Sequence, residues 1–297
     1  MIRYLFDKLL SDTTRKRSER VIITIAIVSF AIHLVIIALH KFGIVHIDSK
    51  GELLKSPIAA IYTPFSFILL YEVYLLVYYL PKSISLYISK QYEIITLVII
   101  RRIFKDLANL DLKSDWFAST YDLQLTYDII STLLLFGLIL LFYRLNSRPA
   151  IVDEENGNKM SSTLSRFIHR KKILAVILVP VFLVLAIYSL GSWIYSSLFL
   201  QSAASNTFSD INQIFFNEFF TVLILADVLL LLFSFFHTDQ FSKVIRNSGF
   251  IISTILIRLS FGVEGITNNI LIVGAVIFGV LILALHNGYR KAEVSTV

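Results

Sequence analysis

Phe65-Ser66-Phe67-Ile68-Leu69-Leu70-Tyr71-Glu72-Val73 sets a carboxylate inside an otherwise apolar helix, and Phe220-Thr221-Val222-Leu223-Ile224-Leu225-Ala226-Asp227-Val228 does the same much later in the chain. Each is followed by an apolar stretch that ends on a base. Ile94-Ile95-Thr96-Leu97-Val98-Ile99-Ile100-Arg101 is answered by Ile251-Ile252-Ser253-Thr254-Ile255-Leu256-Ile257-Arg258, with Phe104 and Phe261 three residues further on. An ionisable group in an apolar helix must find a partner or water, so it marks function by default. Its return in the same order predicts a duplicated helical module with a polar centre.

Outward from these segments, hydrophobic residues form 56% of the chain and charged residues 16%. The apolar residues fall in runs too long and too numerous for a soluble core, so the chain reads as an all-α, polytopic integral membrane helical bundle. A span needs about 20 predominantly apolar residues. Clear candidates are Val21–Leu39, Ile58–Leu80, Ile129–Phe142, Ile173–Leu200, Phe219–Phe236 and Ile270–Leu285. Two charge-interrupted candidates, Ser83–Phe104 and Val244–Phe261, are the arginine-bearing helices themselves. Counting them gives eight transmembrane helices arranged as two parallel four-helix repeats; leaving both out gives six.

The basic loop Arg144–Lys172 and the Lys/Arg-free stretch Gln201–Glu218 place both termini in the cytoplasm by the positive-inside rule, consistent with a plasma (inner) membrane protein. Six and eight spans give the same orientation. The segment Asn146–Ser165, with Pro149, a run of acids, Gly157 and two serines, reads as a linker. The expected organisation is an amphipathic segment at 1–20, a first repeat at 21–145, a cytoplasmic linker at 146–172, a second repeat at 173–289 and a tail at 290–297. An even number of helices per unit makes the repeats parallel, about an axis along the membrane normal. The register requires a two-residue change in the turn of one half, and Tyr143-Arg144 and Tyr289-Arg290 close the two fourth helices.

Counting depth at about 1.5 Å per residue from the turn at Pro81-Lys82 brings Lys90 level with Glu72. It is the expected buried counter-ion there, and Arg246 is expected opposite Asp227. Lys90 could instead take Glu93 at i,i+3 and release Glu72. Arg101 and Arg258 read as an outer basic ring, either anchoring the interface or attracting anions. Without a ladder of bases at every third position, voltage sensing is disfavoured.

The chain has no cysteine and six histidines, no two of which share a helical face, so disulfides and thiolate chemistry are excluded and no metal or other cofactor is expected. No catalytic or nucleotide-binding signature is present, which argues against an enzyme. The net charge of +6 sits beside the ends of spans and points to membrane lipid as its partner, not nucleic acid. The function expected is an ion channel or small-ion carrier, a cation being favoured, with Glu72 and Asp227 as pathway or gate. Its pore would lie between the halves or in a homo-oligomer. The rival is a non-transporting scaffold or sensor that docks a cytoplasmic partner through the basic N-terminus and central loop. The bland reading of the same acids is interhelical pairs that fix packing.

The topology is testable in this cysteine-free chain. Single cysteines at Ser119 and Ser161 should react with impermeant maleimide from opposite faces of the membrane, and labelling from one face would remove the span at Ser83–Phe104.

Overall fold

A computed structural model of the chain describes residues 2–43, 60–108, 120–147, 162–199, 207–235, 241–263 and 265–295. Within them every element is a helix: α1 (Ile2–Leu9), α2 (Asp12–Lys41), α3 (Tyr62–Tyr79), α4 (Ile84–Ala108), α5 (Thr120–Asn146), α6 (Ser162–Phe199), α7 (Thr207–Phe235), α8 (Phe241–Ser260) and α9 (Gly265–Ser295). The described residues of each expected span fall on one of these helices, while the expected amphipathic segment at 1–20 is divided between α1 and the start of α2. Several helices outrun their apolar runs. Residues 207–218, expected in a loop, begin α7, and α6 begins eleven residues ahead of Ile173. Once a helix is nucleated each further residue adds a hydrogen bond, so polar flanks continue it. Residues 148–161, which form most of the expected linker, and 44–59 and 109–119 lie outside the described residues.

Among the described residues three helices are long and apolar enough to cross a membrane, within Tyr4–Lys41, Asp122–Asn146 and Gly265–Ala292. Each turns a row of apolar side chains outward. Ile27, Ile32 and Val35 on α2, Leu133 and Leu140 on α5, and Ile270 and Leu281 on α9 are all more than half exposed. Burying one such side chain from water is worth about 1.5–3 kcal/mol, so in water this surface would be a large liability. The buried set includes Glu72, Arg101, Asp128, Asp227, Asn247, Arg258, Asn268 and Asn269. Apolar outside and polar inside is the arrangement lipid selects, because tails are as apolar as Leu and every polar group must be satisfied within the protein.

The chain divides into two compact units. The first comprises Met1–Tyr78, Arg101–Leu125 and Ala175–Val222, the second Tyr79–Ile100, Thr126–Leu174 and Leu223–Val297. This division draws on both halves of the sequence in each unit.

In the first unit the amino-terminal segment is fastened to α3 by a tyrosine ladder. Tyr71, Tyr74 and Tyr78 follow helical spacing, their rings 6.3 and 6.5 Å apart. The Tyr74 hydroxyl donates to the Leu9 carbonyl at 2.9 Å, Tyr71 to Glu19 at 3.1 Å, and Tyr78 to Asp12. Arg15 covers the Tyr78 ring at 5.3 Å. Ser11 caps α2 by accepting from the Thr14 amide, and this fixes the bend out of α1. These tyrosines thus hold the end of α1 and the first turns of α2 against α3.

In the second unit α8 and α9 pack closely through glycine. A Cβ on Gly249 would lie 2.7 Å from Ile282 Cγ1, and one on Gly279 would lie 1.8 Å from the Tyr92 hydroxyl. That hydroxyl donates to Ser253 Oγ at 2.7 Å, and Ser253, whose proton goes to the Ala275 carbonyl at 2.6 Å, accepts it. Lys171, two residues before the apolar run of α6, is buried with its ammonium donating to the Lys82 carbonyl at 2.7 Å, and burial pulls its pKa down to about 8.

Gly279→Ala should therefore lower the thermal midpoint, with a cost of about 1–3 kcal/mol for overpacking. Gly274→Ala on the same helix, where a Cβ meets nothing within 4 Å, should be close to neutral. Equal effects in thermal unfolding of the purified protein would remove the Tyr92–Ser253–Gly279 contact as a packing constraint.

Candidate functional site

Side-chain direction decides which charges meet. In a helix the Cα–Cβ bond tilts toward the amino terminus and long side chains follow it. Glu72 on α3 therefore leans away from the α3–α4 turn, while a base on α4 leans back toward that turn. An acid before a turn then meets a base lying deeper in the next helix, beyond its own level.

The first unit shows this directly. Glu72 Oε2 lies 3.0 Å from Arg101 Nη2, and the two side chains are 3% and 6% exposed. Phe65 and Phe104 stack beside the same helix pair at 5.2 Å. The expected pairing of Glu72 with Lys90 is corrected. Lys90 in the second unit reaches back over the Tyr79 ring at 5.6 Å and binds Glu93 at 2.7 Å, the i,i+3 alternative, and Glu93 also accepts from Tyr143.

The second unit repeats the arrangement. Asp227 Oδ2 lies 2.9 Å from Arg258 Nη2, with side-chain exposures of 0% and 4%. Arg246 is not its partner. It leans toward the start of α8, with Nη1 at 3.3 Å from His286 Nε2 and Nη2 at 3.1 Å from Asn247 Oδ1. Arg101 and Arg258 also fail the expectation of an outer basic ring. Both are buried, each against a carboxylate.

Around Asp227 the structure assembles groups that the sequence reading missed. Tyr87 Oη donates to Oδ1 at 2.8 Å, and Gln91 Nε2 lies 3.4 Å from Oδ2. Gln91 Oε1 in turn accepts from Arg258 at 3.4 Å. A carboxylate only accepts and a guanidinium only donates, so these partners fix the amide orientation of Gln91. Thr254 sits 3.4 Å from Oδ2, but its single proton is better placed on the Ile251 carbonyl at 2.9 Å. A second buried acid, Asp128, accepts from Asn269 at 2.7 Å. Tyr87 and Gln91 fall at i,i+4 on the helix that follows the first acid, a polar stripe in an apolar segment that could have flagged them. Among the described residues no three His, Asp or Glu side chains gather as a metal site.

Comparison of the chain with known protein families, curated proteins and solved structures finds no match. A functional reading therefore rests on these residues.

The pairing has a stability signature. Glu72→Gln and Asp227→Asn each leave a buried arginine opposite a neutral amide, a loss of about 3–5 kcal/mol. Adding Arg101→Met to Glu72→Gln should recover most of the thermal midpoint, whereas adding Lys90→Met should not. Recovery by Lys90→Met instead would overturn the assignment of Arg101.

Proposed function

We propose that the protein is an integral membrane channel or carrier for a small ion, a cation being favoured, in which the Glu72–Arg101 and Asp227–Arg258 pairs act as gates. The observation that carries this reading is the set of neutral partners around Asp227. Tyr87 and Gln91 hydrogen-bond the carboxylate independently of Arg258. If the guanidinium moves aside, the acid keeps ligands that stabilise its charge and can receive a cation in exchange.

The proposed setting is a bundle of eight spans in the plasma (inner) membrane, with both termini cytoplasmic and the four-helix repeats parallel. At about 1.5 Å per residue, a 20-residue helix such as α8 covers about 30 Å, the thickness of a hydrocarbon core. Its faces also suit a span: Ile252, Leu256 and Leu259 are exposed, while Ser253, Thr254 and Arg258 are buried. The repeat is supported by the recurrence of one acid–arginine pair in each half of the sequence. Lipid and a small ion are the partners proposed, with homo-oligomerisation as one way to complete a pore.

A second reading, a membrane scaffold or sensor docking a cytoplasmic partner through its basic segments, has an observation in its favour. A satisfied ion pair fastens helices as well as it gates them.

Flux from liposomes holding purified protein separates the two. The Asp227→Asn/Arg258→Met double variant is neutral at the pair and should fold. Under the transport reading its cation flux departs from that of the unaltered protein by about tenfold or more, the equivalent of about 1.4 kcal/mol in a barrier. Unaltered flux from a folded double variant would sink the gate, and absence of flux for protons, sodium and potassium from the unaltered protein would favour the scaffold.

A further inference from the structure

The correction at Arg246 leaves a cationic cluster that holds no acid among the described side chains. Among the described residues Arg246 hydrogen-bonds Asn247 Oδ1 and His286 Nε2, both neutral, and no carboxylate. Arg290 lies within electrostatic reach of Arg246, and both arginines and Lys243 lie within reach of His286. All four belong to the second unit, at the start of α8 and the far end of α9. Asp239 lies outside the described residues.

The histidine is held in its neutral form by geometry. Its Nδ1 lies 3.1 Å from the Ser242 carbonyl, which can only accept, and its Nε2 faces an arginine nitrogen, which can only donate. Nδ1 therefore carries the proton. The cluster's charge thus comes from Arg246, Arg290 and Lys243, gathered around a neutral imidazole that is itself buried.

Positive-inside bias accounts for exposed bases near span ends, whose charge snorkels out to water. It does not account for an arginine drawn inward against a buried histidine. Asn247, buried at the same place and donating to Ser234 at 2.7 Å, fixes the guanidinium from the other side. A half-buried guanidinium with neutral partners and cationic neighbours is stabilised by a bound anion. The start of α8 adds the positive end of the helix dipole.

We propose that Arg246, Arg290 and Lys243, arranged around His286 and Asn247, form a binding site for a phosphate group, carried either by an anionic phospholipid headgroup or by a soluble phosphate. Arginine's planar fork matches phosphate oxygens in a bidentate way, and lysine adds a point charge. The site is separate from the Asp227–Arg258 pair and does not depend on ion transport.

Two arms distinguish the sources. In the first, native mass spectrometry of the full chain in neutral detergent compares retention of phosphatidylglycerol with that of phosphatidylcholine. In the second, the thermal midpoint is followed with inorganic phosphate against chloride at matched ionic strength. Preferential retention of phosphatidylglycerol without a phosphate-dependent shift identifies the headgroup, and a phosphate-dependent shift identifies a soluble ligand. In either case Arg246→Gln and Arg290→Gln should each weaken binding by about tenfold, the loss of one charge-assisted contact. Arg246→Lys should retain more of it than Arg246→Gln. Arg290→Gln tests the site even if Arg246→Gln fails to fold, because Arg290 is near the end of α9 and only part-buried. Equal retention of the two lipids with no response to phosphate would overturn the proposal, as would undiminished binding by folded Arg290→Gln.

Discussion

Asp227 in its buried place beside Arg258 is the constraint around which the second unit is organised. Taking two charges out of water costs several kcal/mol per ion, and their attraction repays this only when the remaining lone pairs and protons are also satisfied. Satisfying them recruits specific positions on other helices. Tyr87 and Gln91 must come from α4, and Arg258 from α8. The Tyr92–Ser253–Ala275 chain, one turn away on α4 and α8, ties in α9. These helices are thereby fixed in rotation as well as in position, since a polar stripe turned toward lipid would lose its partners.

This matters because lipid provides no hydrophobic drive to pull helices together. What remains is close packing and polar contact, and the two occur side by side here. Gly249 and Gly279 let backbones approach, and a hydroxyl fills the space that a Cβ at Gly279 would take. The first unit solves a different problem. The tyrosine ladder of α3 gives directional bonds to the end of α1 and to the first turns of α2. Tyrosine suits that place because its ring packs against apolar neighbours while its hydroxyl reaches a polar partner.

The helices were legible in the sequence because long apolar runs between turn residues leave few alternatives. The acids and the two arginines were legible as exceptions within those runs. Their pairing was not. Depth counted along the Cα trace places Lys90 opposite Glu72, yet side chains lean toward their own helix's amino terminus, so Lys90 turns back to Tyr79 and Glu93 while Arg101 reaches Glu72. The same lean separates Arg246 from Asp227 and delivers Arg258 to it. One geometric rule, applied to both halves, would have exchanged the two pairs of bases. Asp128 with Asn269 was harder to foresee, because nothing in the local pattern of either residue names a partner so far along the chain.

That the same exchange occurs twice bears on what the pairs do. An acid that served only to cancel the nearest base would take Lys90 or Arg246 at modest cost near a helix end, where snorkelling relieves both charges. Instead each acid is matched to a fully buried arginine, the base that gives up its charge least readily. The arginine does not relieve such a pair by deprotonation, so the proposed gate opens by movement of the guanidinium or by proton uptake at the acid. Gln91 touches both partners with opposite ends of its amide. It can stay with Asp227 while Arg258 leaves, which lowers the barrier to opening relative to a bare ion pair. The amide satisfies the closed pair and can also stay with the acid when the base leaves, so it serves fastening as well as the proposed gate.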